Sequence, residues 1–395
     1  MTPYRYTWTF AYDFRFAYII AFVTLVAWLM SREPKKITWA AVTAFLLAFW
    51  LWSTLTLQFA EFPGPAQAKW EEMTKIILMD GIVTMALLTT RARLDALIWV
   101  IVVSIGIFGV KGGIFTILTG GYYRVSGAPG SYFGENNFLA AALLITIPLM
   151  RYLQLQSKHK LARWGLSAAM ILCIFSVLGS QSRGGLVGLL ALVLILFART
   201  RRKLLISVGL VAVLSAGFAF MPDSWHERMA TIMNYQEDAS AGGRVAAWLY
   251  GYEKALEKPL VGGGYEAFLG YGRSAHSVYF QVLGEHGFVG LALYILFLGA
   301  TFVLAGSIVR RAEGQPDLLW AQDLMRMVQS SLAVFAIVGA FLSLSYFELI
   351  VHLGAIAVAV DGVVRATVRP SAPVPAPAGQ AYEAVGPVVD RGPAA

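Results

Sequence analysis

Three residues able to do chemistry, Arg183, Arg244 and His276, lie in polar segments of an otherwise apolar chain. Arg183 stands in Ser-Gln-Ser-Arg-Gly-Gly, Arg244 in Gly-Gly-Arg-Val-Ala-Ala-Trp, and His276 in Ser-Ala-His-Ser-Val-Tyr. A charged group at membrane depth is costly unless it faces a partner or a polar cavity, so it marks function by default. Guanidinium groups bind phosphate oxygens, and a neutral imidazole accepts a proton from a hydroxyl near pH 7. Two arginines and one histidine could therefore hold a diphosphate and activate a hydroxyl.

Each of these residues also has a structural interpretation. Arg183 could be an interfacial anchor, but it lies among small residues that would let a ligand approach the backbone closely. Arg244 could be a surface charge on an amphipathic helix, although the glycine-opened start of that helix offers free N–H groups to an anion. A lone histidine is more often structural than catalytic. His276 differs from the other four because Arg273 precedes it and a glycine-rich stretch leads into it.

Other charged residues inside apolar segments are weaker candidates. Lys75 could bind substrate, or it could simply extend its amine to the membrane interface. Lys111 lies inside the next apolar segment, and the structural interpretation of Asp80 is that it pairs with one of these lysines.

The sequence contains no pattern typical of a metal site or a P-loop. His-Glu-x-x-His, paired cysteines, Asp-x-Asp and the Walker pattern are all absent from it. We therefore expect no metal and no cofactor. Arginines would then supply the charge neutralisation that a divalent cation supplies in many transferases.

The composition is that of an integral membrane protein. The 395 residues are 58% hydrophobic and 14% charged, with a mean hydropathy of +0.65, and a soluble domain could not bury that much apolar surface. The net charge is +8, but the basic residues cluster in short loops between apolar segments, which is typical of cytoplasmic loops and argues against nucleic acid as a partner. The single cysteine, Cys173, cannot form a disulfide within the chain.

The hydropathy pattern predicts an all-α membrane protein with about eleven transmembrane helices, or twelve if a helix lies upstream of this start. A helix needs about 20 residues to cross the hydrocarbon region. The eleven predicted spans are 16–30, 37–57, 73–90, 96–118, 138–155, 165–178, 185–197, 204–221, 288–309, 328–346 and 349–364.

The loop charges predict the topology. If loop 31–36 is cytoplasmic, alternation places most of the 31 Lys and Arg residues on the cytoplasmic side, as the positive-inside rule requires. The chain then divides into helices 1–8 (1–221), a partly helical periplasmic loop (222–287), helices 9–11 (288–366) and a disordered, Pro/Ala-rich cytoplasmic tail (367–395). Within the loop, Ser240 is predicted to cap a helix that ends before Pro259, and a second helix is predicted from near His276 to Glu285.

The chain resembles the O-antigen ligase superfamily of bacterial inner-membrane proteins. The resemblance covers nearly all of the chain before the tail and rests on three elements in order: Ser-Arg-Gly-Gly ending at Gly185, Gly-Arg-x-x-x-Trp ending at Trp248, and His276 followed by Val-Tyr-x-x-x-Leu-Gly-Glu-x-Gly. The stretch 122–137, with Tyr-Tyr-Arg around Arg124 and Gly-Ser-Tyr-Phe-Gly-Glu-Asn-Asn at its end, resembles more specifically the O-glycosylation ligases associated with exosortase A systems.

The resemblance implies a metal-independent, inverting glycosyltransferase. The donor would be a glycan on undecaprenyl pyrophosphate, and the acceptor a lipid A core sugar or a protein, at the periplasmic face of the inner membrane. Arg183 and Arg244 would hold the pyrophosphate, and His276 would orient or deprotonate the acceptor hydroxyl. Lys75, Arg273, Arg124 and Trp248 are further candidates for substrate binding. Ser277 stands where many members have an asparagine after the histidine.

Three other hypotheses remain. A polymerase of polysaccharide repeat units in the same superfamily would use the same motifs. A polysaccharide or lipid transporter would predict broken helices near mid-membrane and an internal repeat, whereas the candidate charges here gather at one face and no repeat is visible. A structural scaffold would leave the arginines unexplained.

Overall fold

The computed structural model describes residues 16–32, 38–128, 131, 133–199, 211–212, 215–230 and 239–368. Within these residues the regular elements are helices, as the sequence predicts for an all-α protein. The α-helices of two turns or more are α1 (Phe16–Met30), α2 (Ala41–Thr56), α3 (Pro63–Lys75), α4 (Arg91–Leu118), α5 (Asn136–Gln156), α6 (Lys160–Gly179), α7 (Arg183–Arg199), α8 (Asp223–Ala230), α9 (Ala239–Glu257), α10 (Val278–Arg311), α11 (Leu319–Val338) and α12 (Glu348–Val368).

Seven helices of the described part are long and apolar enough to cross a membrane, which indicates a multi-pass α-helical membrane protein. They are Ala41–Phe59, Arg91–Leu118, Asn136–Gln156, Lys160–Gly179, Val278–Arg311, Pro316–Phe341 and Glu348–Thr367. The predicted number of eleven is not confirmed. α1 and α7 stand where spans were predicted, and within the described residues they have 15 and 17 residues, against the roughly 20 that a straight crossing needs.

The third predicted span needs correction. It was predicted over 73–90, but α3 already begins at Pro63 and continues as a π-helix over Ile76–Val83 and a last turn over Thr84–Leu87. Pro63 can start a helix because the first helical position needs no N–H donor. Half of the eighth, 204–221, lies outside the described residues, and its described residues 211–212 and 215–220 are helical. The sixth and seventh are separate helices, as predicted.

The centre of the helical assembly is formed by α5 and α12, the two most buried of the seven spans. α5 contacts α4, α6, α7 and α11, while α12 contacts α10 and the π-helix. α4 and α6 approach closely because small residues face the interface. A Cβ on Gly113 would lie 2.1 Å from the carbonyl oxygen of Leu172. This packing sets the positions of the ends of α5, α6 and α7, where the candidate site lies.

The described parts of the polar segment 222–287 begin with α8, which packs against the end of α6. As predicted, one helix (α9) runs through Arg244 and ends before Pro259, but it begins at Ala239, so Ser240 lies inside its first turn. The predicted second helix is the first arm of α10, which starts at Val278. Gly287, with φ 69° and ψ −171°, separates this arm from the long remainder of α10. A Cβ there would lie 2.3 Å from the carbonyl oxygen of Leu260, so glycine is required at this kink.

Candidate functional site

The turn between α6 and α7 is fixed by side chains at the start of α5. The hydroxyl of Ser182 accepts a hydrogen bond from the N–H of Gly185 at 3.0 Å and so caps α7. The same hydroxyl donates to Oδ1 of Asn137 at 2.6 Å. Asn136 donates from Nδ2 to the carbonyl oxygen of Ser180 at 2.7 Å. The two asparagines therefore tie the turn to α5 and determine where α7 begins.

Arg183 is the first residue of α7 and is half-buried. The N-terminus of a helix carries a partial positive charge, so an arginine there is electrostatically unfavourable in the absence of an anion. A bound anion would reverse the sign of this interaction, because it would meet both the guanidinium and the helix N-terminus.

Helix α8 brings a further arginine, Arg228, to the same turn. The indole of Trp225 is buried and donates from Nε1 to the carbonyl oxygen of Leu178 at 2.9 Å, which anchors α8 to the end of α6. Arg228 donates from Nε to the carbonyl oxygen of Gln181 at 3.1 Å. Gln181 itself adopts a left-handed conformation with φ 54°.

Arg244 lies in the first half of α9, where it is half-buried. The glycine before it makes room for a second guanidinium, since a Cβ on Gly243 would lie 2.6 Å from Nη1 of Arg273. Trp248, one turn further along α9, stacks on Phe280 with ring centroids 5.4 Å apart and planes at 7°. This stack holds α9 against the first arm of α10.

His276 lies in the irregular segment before α10, two residues ahead of the first helical residue, Val278. Its φ is 49°, a left-handed conformation that residues with a Cβ rarely adopt. Its N–H donates to Oγ of Ser343 at 2.8 Å. The imidazole is thus placed by an unusual backbone conformation and by a contact with a segment far along the chain.

These segments enclose a cavity of about 370 Å³. Its lining combines five arginines, one histidine and two asparagines with one glycine. The lining residues are Arg124, Asn136, Asn137, Arg183, Arg228, Gly243, Arg244, Arg273 and His276. Among the lining residues that the structure describes there is no carboxylate, so the cavity is suited to an anion with several oxygens.

Burial and mutual repulsion alter the acid–base properties of this lining. Burial lowers the pKa of Arg244, and the nearby charge of Arg228 lowers it further. Burial also lowers the pKa of His276, as do the charges of Arg244 and Arg273, whereas Glu135 opposes them. Arginine remains charged at neutral pH despite such shifts. The imidazole of His276, in contrast, is kept neutral near pH 7 and available to accept a proton.

Five residues singled out in the sequence come together in this cavity. They are Arg124, Arg183, Arg244, Arg273 and His276. Trp248 is not part of the lining, and its Nε1 is buried without a hydrogen-bond partner among the described residues. Lys75 is also outside it. Because α3 starts at Pro63, Lys75 lies well along the helix, and it lines a separate groove with Asp80 and Glu348.

Sequence reasoning missed Arg228, Asn136 and Asn137 as site residues. The two asparagines are the last residues of the stretch 122–137, whose resemblance to the O-glycosylation ligases could have indicated them as site residues. Arg228 had no such signal. The structural partner expected for Asp80 was a lysine, but its Oδ1 lies 3.9 Å from Nε2 of His352.

Two family models match the chain. Residues 168–295 match the O-antigen ligase family, and residues 1–159 match a family of unknown function (DUF5935). A search of the curated proteins finds no match. The ligase match contains Arg183, Arg228, Arg244, Arg273 and His276, and it supports the superfamily that the sequence motifs indicated. The remaining lining side chains come from the other match, so the cavity is built from both matched regions.

Proposed function

We propose that this protein is an O-antigen ligase-like glycosyltransferase that moves a glycan from undecaprenyl pyrophosphate to an acceptor hydroxyl. The observation that carries the proposal is the cavity itself, in which five arginines and one histidine lie together at the start of α7. The match of residues 168–295 to the O-antigen ligase family supports the same conclusion. The acceptor would be a lipid A core sugar or a protein.

Arg183 and Arg244 are assigned to the diphosphate of the donor. Guanidinium groups bind phosphate oxygens in a planar, bidentate manner, and Arg183 adds the N-terminus of α7 to this site. As the bond between the anomeric carbon and the diphosphate oxygen breaks, the leaving diphosphate gains one negative charge. Fixed cations stabilise this charge without reorganising, which is the largest contribution in many enzymes.

His276 is assigned to the acceptor. The acceptor oxygen attacks the anomeric carbon from the face opposite the leaving group, so the configuration inverts. The proton of the acceptor hydroxyl passes to the imidazole of His276. The lowered pKa of His276 keeps this imidazole neutral near pH 7 before the reaction. Pyrophosphate is already a good leaving group, so one base, charge stabilisation and positioning are sufficient.

The cavity is assigned to the periplasmic side of the bacterial inner membrane. The distribution of charge among the loops supports this orientation. Loops rich in Lys and Arg alternate along the chain with other connecting segments, of which the one before α3 contains neither residue type. A lipid-linked donor requires a site that opens near the membrane surface. The turn between the last residue of α6 and the first residue of α7, Arg183, meets that requirement.

The stretch 122–137 supports an assignment to the O-glycosylation ligases of exosortase A systems within the superfamily. Three of its residues, Arg124, Asn136 and Asn137, line the cavity. An acceptor that is specific to this subgroup would have to contact residues that are specific to it, and this stretch supplies such residues to the cavity. A repeat-unit polymerase of the same superfamily would share the diphosphate site and differ in its acceptor.

One experiment tests the proposed function and separates it from a polymerase. Purified protein is incubated with a lipid-linked glycan, with or without lipid A core or protein acceptor, in the presence of a chelator. We expect transfer to one added acceptor and release of undecaprenyl pyrophosphate. Chain lengthening without added acceptor would indicate a polymerase. No transfer to any acceptor would contradict the proposed function.

A further inference from the structure

The turn between α11 and α12, residues 342–347, is irregular backbone enclosed by the helices. Five of its side chains, Leu342, Leu344, Ser345, Tyr346 and Phe347, are buried. Irregular backbone at membrane depth is stable only where protein surrounds it or where it lines a polar cavity. This turn must therefore be held by specific contacts, and several of them are made by hydroxyl groups.

The first contact reaches His276 directly. Oγ of Ser343 accepts the N–H of His276 at 2.8 Å. The left-handed conformation of His276 is disfavoured for a residue with a Cβ, so it persists only where the surroundings determine it. Ser343 is half-buried and does not line the cavity. Ser343 therefore bonds to the backbone of His276 and not to its imidazole, which lines the cavity.

The second contact involves Ser345, which joins the turn to the first arm of α10. Its Oγ lies 3.1 Å from the carbonyl oxygen of Val278 and 2.8 Å from Oε1 of Gln281. Tyr294, beyond the Gly287 kink, donates from its hydroxyl to the carbonyl oxygen of Ser345 at 3.1 Å. The turn is thereby held on both sides of the kink in α10.

The third contact is a buried chain of polar groups that begins at Tyr346. Its hydroxyl is hydrogen-bonded to the carboxyl group of Glu285 and, at 2.9 Å, to Nε2 of His286. Nδ1 of His286 is hydrogen-bonded to Oγ1 of Thr56 in α2 at 2.8 Å. These four side chains are buried. Leaving one of them unsatisfied would cost the full desolvation of that group, so the chain strongly favours one position of Tyr346.

We propose that Ser343 and Tyr346 are positioning residues for His276, with Tyr346 fixing the buried turn and Ser343 transmitting that position to the backbone of the histidine. The inference rests on the proposed role of His276 as the base. It extends that role to two residues outside the region matched to the O-antigen ligase family, which ends at 295. It also gives a purpose to the buried Glu285–Tyr346–His286 group, which the proposed chemistry does not use.

The test compares transfer by Ser343→Ala, Ser343→Thr and Tyr346→Phe with that of wild type. Ser343→Ala removes the acceptor of the His276 N–H, and Ser343→Thr keeps it. Misplacement of a catalytic group by about 1 Å can cost about 10²-fold in rate, so we expect Ser343→Ala and Tyr346→Phe to lower kcat by roughly 10-fold to 100-fold. KM for the lipid-linked donor should change little, and Ser343→Thr should restore most of kcat.

A second readout separates positioning from loss of structure. Burial and nearby charges set the pKa of His276, so a displaced imidazole should move the acid limb of the kcat/KM profile. Tyr152→Phe is the matched control, because it removes a buried tyrosine hydroxyl bonded to a carboxylate, Asp95, away from the cavity. It should lower thermal stability to a similar degree while leaving kcat and the acid limb unchanged.

The outcomes are distinct. Wild-type kcat and an unmoved acid limb in both Ser343→Ala and Tyr346→Phe would overturn the positioning role. So would a rise in donor KM at constant kcat, since it would place these residues with the diphosphate. His276→Ala is measured in parallel. Normal transfer by His276→Ala would instead show that the proposed base is wrong, and the positioning proposal would fail with it.

Discussion

Arg244 and His276 line the same cavity, and after burial the charge of Arg244 is the strongest influence that lowers the pKa of His276. The two residues therefore have coupled roles in the proposed reaction. The guanidinium attracts the diphosphate, and it also disfavours protonation of the imidazole that must accept a proton. A bound diphosphate would offset the guanidinium charge, so donor binding and the proton affinity of His276 should depend on each other.

His276→Ala should bind the donor about as well as wild type and transfer very slowly. A neutral imidazole contributes little to holding a diphosphate, whereas a general base typically contributes about 10²–10⁴-fold in rate. Donor binding is measured with a labelled lipid-linked glycan, and transfer under single-turnover conditions. Lost donor binding or preserved transfer would show that His276 has a different role.

The pH dependence of kcat/KM in wild type reports the free enzyme. Protonation of His276 removes the base, so the rate should fall as the pH drops through its pKa. Because burial and the nearby arginines lower that pKa from 6.5, the fall should occur below pH 6.5. Arg244→Gln removes one of these charges, and its acid limb should move to higher pH. An acid limb in Arg244→Gln that coincides with wild type would contradict the coupling.

Arg183→Lys and Arg244→Lys should each lose most activity while the protein still inserts and folds. Lysine keeps the charge but cannot copy the planar, bidentate contact with phosphate oxygens. By analogy with removal of one donor to a developing oxyanion, we expect a loss of about 10²-fold. Arg163→Lys, at an exposed arginine outside the cavity, is the control. Near-normal transfer by either cavity variant would remove that arginine from the diphosphate site.

The sequence was sufficient for the helical class and for most of the charged groups in the site. Arg183 and Arg244 stood out because charges in or beside apolar segments are rare, and His276 because of its neighbours. The predicted break between the loop helix that ends at Glu285 and the span that begins at 288 coincides with the kink at Gly287, where glycine allows the backbone to turn. These features depend on residue type and local order, which a single sequence contains.

The remaining parts depend on tertiary packing. Arg228 joins the cavity because the indole of Trp225 anchors α8 to the end of α6, and no local pattern predicts that contact. Ser343 reaches His276 from a different part of the chain. Lys75 was expected in the site because α3 was predicted to begin near it. The helix begins at Pro63 instead, and at about 1.5 Å per residue the lysine lies well away from its start.

Ser182→Ala should lower the free energy of unfolding by about 1 kcal/mol, the typical cost of removing an N-cap side chain. The substitution removes the cap of α7 at the N–H of Gly185 and the bond to Asn137. Transfer should fall as well, because the cap places Arg183. Thr367→Ala removes an exposed hydroxyl that donates to a carbonyl oxygen within α12, and it serves as the control. Thermal unfolding in detergent measures both, and equal stability of the two variants would contradict the capping role.

The proposed orientation predicts that α9 and the loop between α5 and α6 lie on opposite sides of the membrane. Alternation of the basic loops places the cavity outside and Ser157 inside. The only native cysteine, Cys173, is buried and can be replaced first. In spheroplasts, the outer membrane is removed and the inner membrane is intact. There, a cysteine at Ser240 should react with an impermeant maleimide, whereas a cysteine at Ser157 should react only after the inner membrane is permeabilised. Reaction of both cysteines from the same side would contradict the topology and, with it, the assignment of the cavity to the periplasm.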